Sequence, residues 1–362
     1  MARLPQWTLF CAATVVALLT AEGALRLFAP VPYSIERSMY FEADPHTGFR
    51  LKPHGIGRYQ GSIAAIANGL GMRDDEVTVE KADGVRRVLV IGDSFTVGAG
   101  VEQADAYPQL LERRLAAPDL EVVNAGVGGW GPYQYRQFFE HRGGAFAPDL
   151  VLVGFFVGND TYDPRQSFAK LPTAILGRRI SRDAAASRWS GAKVLLTEHL
   201  HLGRLALTRS APANRHIERR DCGDFSPQLL KIQRRRLRRN QRPPDAERRA
   251  LMTANLDHLT ALAESARRGG AQVLLVLIPD ENQINPRLTT ALPERAREGT
   301  DLDLPQALLR PALEARQLPY VDLLSAFRDD PRCLYLNDTH WNVAGHHLAA
   351  ELLAAEVRAR LR

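Results

Sequence analysis

The sequence predicts a doubly wound α/β/α sandwich, in which helices cover both faces of a parallel β-sheet. Three observations carry this. Several short runs, such as Val88–Ile91 and Leu150–Phe156, are apolar at nearly every position rather than at alternate ones. That is the pattern of parallel strands covered on both faces. Helical patterns separate these runs, and strand–helix alternation is the signature of crossover units. Finally, polar residues of unusual kind sit at the strand ends, where sheets of this class bind ligands. With 362 residues, 45% hydrophobic and 24% charged, the chain can bury a large core and is not disordered.

The first element is "MARLPQWTLFCAATVVALLTAEGALRLFAP". Arg3 supplies a small positive flank, and Trp7 to Ala21 are fifteen residues without a charge. A spanning helix needs about 20 residues. The run fits an anchor that continues through Glu22 to Phe28, or the apolar core of a signal peptide. No clean small-x-small cleavage site stands out, and bulky Phe10 before Cys11 argues against lipidation. The expectation is an uncleaved anchor over residues 1–30, with the rest of the chain outside the cytoplasm. Secretion after signal cleavage is the alternative, and a buried core helix the third. Residues 31–84 are rich in turn signals ("DPHTG", "KPHGIG", "ANGLG") and are expected as strands and loops on the main domain.

The main domain, residues 85–362, holds strand candidates Arg87–Ile91, Glu121–Asn124, Leu150–Phe156, Gln272–Ile278 and Pro319–Leu323. Helices are expected at Tyr107–Leu115, Tyr133–Arg142, Ala246–Arg268, Gln306–Arg316 and Val343–Leu361. The alternation breaks after Asp160, so residues 161–245 read as a mostly helical insertion. Charge concentrates there. Residues 161–250 hold 21 Lys and Arg against 8 Asp and Glu, a surplus of 13, while the whole chain carries +6. The run "KIQRRRLRRN" is either a solvated helix face or a contact for an anionic glycan or lipid surface. It lacks aromatic interleaving and any nucleic-acid fold signature, so no nucleic acid is expected. Cys222 and Cys333 could pair in an oxidising compartment, although nothing in the sequence shows that they approach. No Cys/His spacing resembles a zinc site, and neither metal nor cofactor is expected.

Four polar segments then carry the chemistry: Gly92-Asp93-Ser94-Phe95, "NAGVGGWG" from Asn124 to Gly131, "GND" from Gly158 to Asp160, and "NDTHWNVAGH" from Asn337 to His346. Each alone reads as a turn or a helix cap. In this order, at successive strand ends and before the last helix, they resemble the SGNH or GDSL-type hydrolase family. The resemblance implies Ser94 as nucleophile, Gly129 and Asn159 as oxyanion donors beside the Ser94 N–H, and His340 as base. It covers about residues 85–160 and 270–360. "NGLGMRDDE", Asn68 to Glu76, looks like the lead-in of membrane-anchored bacterial members, which implies an inner-membrane protein facing the periplasm. The commonest family spacing is Asp-x-x-His, but here Asn337 stands three before His340 and Asp338 two before. Asp-x-His-Trp is similar to the polysaccharide O-acetyltransferase branch, whose members often order their blocks differently.

The chemistry agrees with the resemblance. A serine hydroxyl needs an adjacent base. His340 can take its proton, and Asp338 can fix the tautomer and stabilise the imidazolium. Asp93 is expected to tether the turn. Trp341 either walls the acyl pocket or packs, and His346 and His347 are expected at the surface or in helix packing. The reading is an extracytoplasmic serine esterase or O-acyltransferase, with an O-acetyl glycan ester as the substrate that the resemblance implies. A lipid or small-ester hydrolase is the second reading. An anchored glycan-binding or assembly protein with a vestigial site is the non-enzymatic one.

Overall fold

The structure, a computed structural model, describes residues 5–28, 40–59, 63–175, 178–187, 189–208, 222–240 and 244–361. Its centre is a sheet of five parallel strands: β1 (Arg86–Ile91), β2 (Leu120–Asn124), β3 (Leu150–Phe156), β4 (Gln272–Ile278) and β5 (Tyr320–Asp322), in the order β5-β4-β3-β1-β2. Leu89 lies opposite both Val123 and Val151, and Val276 opposite both Gly154 and Val321. The chain steps from β1 out to β2, then crosses back to β3 on the other side. The order therefore reverses at β1, and the crevice beyond the carboxyl ends of β1 and β3 is the switch point where such sheets bind ligands.

The helices that matter are α1 (Gln6–Phe28), α2 (Tyr107–Leu115), α3 (Pro132–His141), α4 (Pro227–Leu237), α5 (Ala246–Arg268), α6 (Leu304–Ala315) and α7 (Val343–Arg360). Strand side chains alternate between two cores. Leu89, Val151, Val153 and Leu275 pack with Phe138 of α3, Leu259 of α5 and Leu309 of α6. Val88, Val90, Leu152 and Val276 pack with Leu111 of α2 and Leu353 of α7. Each such side chain stabilises the fold by roughly 1.5–3 kcal/mol when buried, which is why the strand runs carry almost no polar residues. Local signals set the helix starts. A proline opens α2, α3, α4 and α6, and the Asn342 and Asp245 side chains cap α7 and α5.

The strands and long helices lie within two residues of their expected bounds. The short helices Glu281–Ile284, Pro286–Ala291, Glu294–Arg297 and Leu324–Asp329 were not legible. They are too short to carry a period and are set by what they pack against. Ahead of β1, Phe41–Asp44 pairs with Gly48–Leu51, and Ile56–Tyr59 with Ile63–Ile66, both antiparallel. The first hairpin is fastened to the sheet domain by Trp130 Nε1 donating to Phe49 O (2.9 Å) and Gln134 Nε2 to Thr47 O (2.8 Å). Arg73, fully buried, donates to the carbonyls of Ala64 (3.0 Å), Val97 (3.0 Å), Gly98 (2.6 Å) and Val101 (2.8 Å). It ties "NGLGMRDDE" to the loop that follows Ser94.

Within residues 161–245, a small antiparallel hairpin, Thr173–Ile175 with Arg178–Ile180, precedes the helices Arg182–Ala185, Ser190–His199 and His201–Thr208. Residues 209–221 and 241–243, with the start of the Pro-Pro break, lie outside the described residues. Among the described residues α1, 23 residues long, is the one helix long and apolar enough to cross a membrane. Its Glu22 accepts the backbone N–H groups of His201 (3.0 Å) and Leu202 (2.9 Å). Cys222 and Cys333 form a disulfide with Cα atoms 5.4 Å apart, which joins the start of α4 to the segment before α7.

Candidate active site

The strand end of β1 turns sharply at Gly92. A Cβ there would stand 2.0 Å from Thr96 Oγ1, so no other residue fits. Val97 N–H donates to Asp93 O (3.0 Å) and Ala99 N–H to Ser94 O (2.9 Å), which leaves Ser94 at the head of a tight turn. Asp93 is fully buried beneath it. Its Oδ1 accepts the Phe95 N–H (2.9 Å) and its Oδ2 accepts from Asn159 Nδ2 (3.0 Å). Burial pushes the Asp93 carboxyl up, opposed by the hydrogen bond from Asn159. So Asp93 tethers the turn, as expected, and also aims Asn159. A carboxylate accepts and does not donate, so the amide nitrogen of Asn159 must face it. Asp160, also buried, accepts the Phe156 N–H and the Tyr135 hydroxyl, both at 3.0 Å, and is structural.

His340 arrives from outside the sheet, on a loop closed by the bridge between Tyr335 and Trp341 and by Leu336 N–H donating to His340 O (2.7 Å). Its Nε2 lies 2.9 Å from Ser94 Oγ. Its Nδ1 lies 3.1 Å from Asp338 Oδ2, an ion-pair distance, off the line of a straight hydrogen bond. Asp338 Oδ1 meanwhile accepts the His340 backbone N–H (3.1 Å). The Asp-x-His spacing thus lets one carboxylate reach both the ring and the backbone of the histidine. The turn needed for this puts Thr339 at φ +85°, a strained value for a β-branched residue. Burial pulls the His340 imidazole down, but the Asp338 carboxylate, with Asp93 behind Ser94, outweighs it and holds the pKa above its usual value.

The second strand end supplies Gly129, at φ +87°. A Cβ on neighbouring Gly128 would come to 3.9 Å from Ser94 Cβ, so this loop borders the serine. Among the described residues no protein group accepts the N–H of Ser94 or Gly129, and one amide hydrogen of Asn159 is left over beyond its bond to Asp93. All five residues singled out from the sequence therefore belong to one neighbourhood: Ser94, Asp338 and His340 in a relay, Gly129 and Asn159 beside it. A serine hydroxyl 2.9 Å from an imidazole can pass its proton to that ring. Unclaimed donors near it can receive a developing negative charge.

Other residues at the crevice were not foreseen. Arg165 Nη1 donates to Gly129 O (2.5 Å) and Arg179 Nη1 to Gly128 O (2.8 Å). Arg236 of α4 pairs with Asp280 (3.2 Å), lies over the Phe156 ring (4.8 Å) and contacts Thr339 Oγ1 (3.4 Å), while Arg239 donates to Gly158 O (3.0 Å). The arginine run is therefore not uniformly a solvated face. Two of its members hold the loops that carry His340 and Asn159, while Arg235 and Arg238 are exposed. Single charged side chains reaching distant carbonyls leave no periodic trace in a sequence. Trp341 is fully buried between Phe95 and Phe327, both at 5.0 Å, so it packs and walls no acyl pocket. His346 is buried in helix packing and accepts the Tyr107 N–H (3.2 Å). A cavity of about 370 Å³ lies behind the Gly129 loop, against Met72, Val127, Trp130 and Phe138, and does not reach Ser94.

The model of the GDSL-like lipase/acylhydrolase family matches residues 90–348. The chain is similar to a solved lipase/acylhydrolase from Enterococcus faecalis, at 15% identity over 76% of this chain and 97% of that one, TM-score 0.37. It is similar to a G-D-S-L lipolytic family member from Veillonella parvula, at 14% identity over 76% and 100%, TM-score 0.39. It is also similar to a variant of an acetyl-xylooligosaccharide esterase from Geobacillus, at 16% identity over 75% and 94%, TM-score 0.38. No curated protein matches the chain.

Proposed function

The chain belongs to the GDSL-like lipase/acylhydrolase family and is a serine ester hydrolase, and we propose that its acyl transfer runs through Ser94, His340 and Asp338. Ser94 Oγ attacks the ester carbonyl as His340 Nε2 takes its proton. Asp338 stabilises the imidazolium. The carbonyl oxygen becomes an oxyanion received by the Ser94 and Gly129 N–H groups and the Asn159 amide. The intermediate collapses, His340 returns the proton to the departing alcohol, and the acyl group stays on Ser94. Water, or a sugar hydroxyl, then gives its proton to His340 and attacks the acyl carbonyl; the bond to Ser94 Oγ breaks, His340 returns the proton to that oxygen, and the acid, or the new ester, leaves. The observation that carries this reading is the 2.9 Å contact between Ser94 Oγ and His340 Nε2 with Asp338 behind the ring.

We further propose an O-acetyl ester of a glycan as the substrate, with the enzyme held on the outer face of the inner membrane. The Asp-x-His-Trp block supports the first and the apolar length of α1 the second. On this reading residues 1–30 anchor, residues 31–84 brace the sheet domain, and residues 85–362 form it, with residues 161–245 inserted. Exposed Arg235 and Arg238 are free to meet an anionic glycan or lipid. A lipid ester is the second reading, favoured by exposed Leu205 on the helix His201–Thr208, which packs against α1, and by exposed Trp189 and Leu196 at and on the preceding helix. The test is Ser94→Ala in the full chain with 4-nitrophenyl acetate. Hydrolysis should fall by at least about a thousandfold with the fold intact. A fall of less than about tenfold, roughly 1.4 kcal/mol of barrier, would overturn the nucleophile assignment.

A further inference from the structure

We propose that Arg179 is a positioning residue of the oxyanion hole, acting through the Gly128–Gly129 peptide from the hairpin that the insertion supplies. The inference rests on the reading of Gly129 as an oxyanion donor. A trans peptide is planar, and its C=O and N–H point in opposite directions. Whatever holds the Gly128 oxygen therefore aims the Gly129 N–H. Arg179 Nη1 donates to that oxygen at 2.8 Å. The next peptide is also held, because Gly129 O accepts from Arg165 Nη1 (2.5 Å) and Trp130 N–H donates to Val127 O (3.0 Å).

The restraint is needed because of the sequence at this point. Two consecutive glycines give the least hindered backbone a chain can have, and their shared peptide can rotate between orientations with little steric resistance. A rotation that turned the Gly128 oxygen toward Ser94 would replace a donor by an acceptor where negative charge develops. Arg179 opposes that rotation from the far end of the same peptide. The φ of +87° already favours glycine at 129, and a Cβ there would stand 1.7 Å from Arg179 Nη1, so a side chain at 129 would push the guanidinium off the Gly128 oxygen. The guanidinium is itself oriented, with Cζ 5.3 Å from the centre of the Phe49 ring and 5.9 Å from that of Phe41. Those rings belong to the hairpin ahead of β1, outside the residues 90–348 that match the family. Two regions added around the sheet domain thus converge on one peptide. A cation beside the oxyanion donor also favours the charge formed in the transition state.

Arg165 is a poor probe, because its removal strands Asp163, so Arg179 is the residue to change. In Arg179→Met the stem remains over the two rings and the donor is lost. The full chain is assayed with 4-nitrophenyl acetate, a small neutral ester that offers no anion for an arginine to bind. Turnover is expressed per site titrated with a fluorophosphonate, so unfolded molecules do not count. The expected result is a fall in kcat of about ten- to a hundredfold, less than the loss of a whole oxyanion donor. KM should change by less than about twofold, because the lost contact acts on the oxyanion donor and not on the bound ester. Arg179→Lys, with one shorter donor, should recover part of the loss. A kcat within about twofold of the parent in Arg179→Met, or a raised KM at constant kcat, would overturn the proposal. If the parent itself neither hydrolyses the ester nor labels, the underlying functional reading fails instead.

Discussion

The two halves of the relay are built differently. Ser94 and Asn159 sit at the ends of adjacent central strands, and buried Asp93, next to Ser94 in the chain, accepts the Phe95 N–H at 2.9 Å and the Asn159 amide at 3.0 Å. His340 hangs on a loop that no strand carries. What holds that loop comes largely from the insertion: the Cys222–Cys333 disulfide, Ser226 donating to Asn337 through its N–H (2.7 Å) and hydroxyl (3.1 Å), and Arg236 on Thr339. The sheet half is rigid by its place in the core. The histidine half is positioned by contacts far apart in sequence, and it bears the strained Thr339. Catalysis should therefore be vulnerable to changes in the insertion that leave the sheet intact.

The largest effect in this comparison is expected on the histidine side. Asp338→Asn should lower turnover by roughly a hundred- to ten-thousandfold, since the imidazolium loses its counter-charge. It should also move the pH profile. His340 must be neutral to accept a proton, and Asp338 holds its pKa above 6.5, so the parent loses activity as pH falls through a midpoint above that value. With the carboxylate gone, burial remains and lowers the pKa, so the midpoint should shift to lower pH. A shift upward in the pH–rate profile would break the assignment of Asp338.

On the sheet side, Asn159→Ala should cost about 3–4 kcal/mol of transition-state stabilisation, a hundred- to thousandfold in kcat, with the pH midpoint little changed. A normal kcat would remove Asn159 from the oxyanion hole.

These residues were legible in the sequence because each ends a strand or precedes a helix in a recognisable block. The strands were legible because burial on both faces leaves unbroken apolar runs. Arg165, Arg179 and Arg236 were not legible. Each acts through one long side chain on a distant backbone oxygen or hydroxyl, and nothing near it in sequence marks that role. The partnership of Asp93 with Asn159, which needs β1 beside β3, was not legible either, whereas Cys222 and Cys333, 111 residues apart, stood out as a possible pair with nothing in the sequence to show their approach. Trp341 illustrates the converse: its neighbour His340 suggested a pocket wall, but the side chain points into the core.

The smallest effect should come from opening the disulfide. Cys222→Ser with Cys333→Ser should lower kcat by about tenfold, as the His340 loop is released from α4, and should lower stability by about 2–4 kcal/mol. Activity unchanged in the double variant would show that the remaining polar contacts suffice, and would weaken the contrast between the halves.

On the proposed mechanism Ser94 is made nucleophilic by a histidine brought in from outside the sheet. Fluorophosphonate labelling of the full chain, mapped by peptide mass spectrometry in the parent and in His340→Ala, tests it most directly. The expected result is an adduct on Ser94 in the parent and labelling slower by about a thousandfold or more in His340→Ala. An adduct on another serine, or equal labelling in the two proteins, would contradict it.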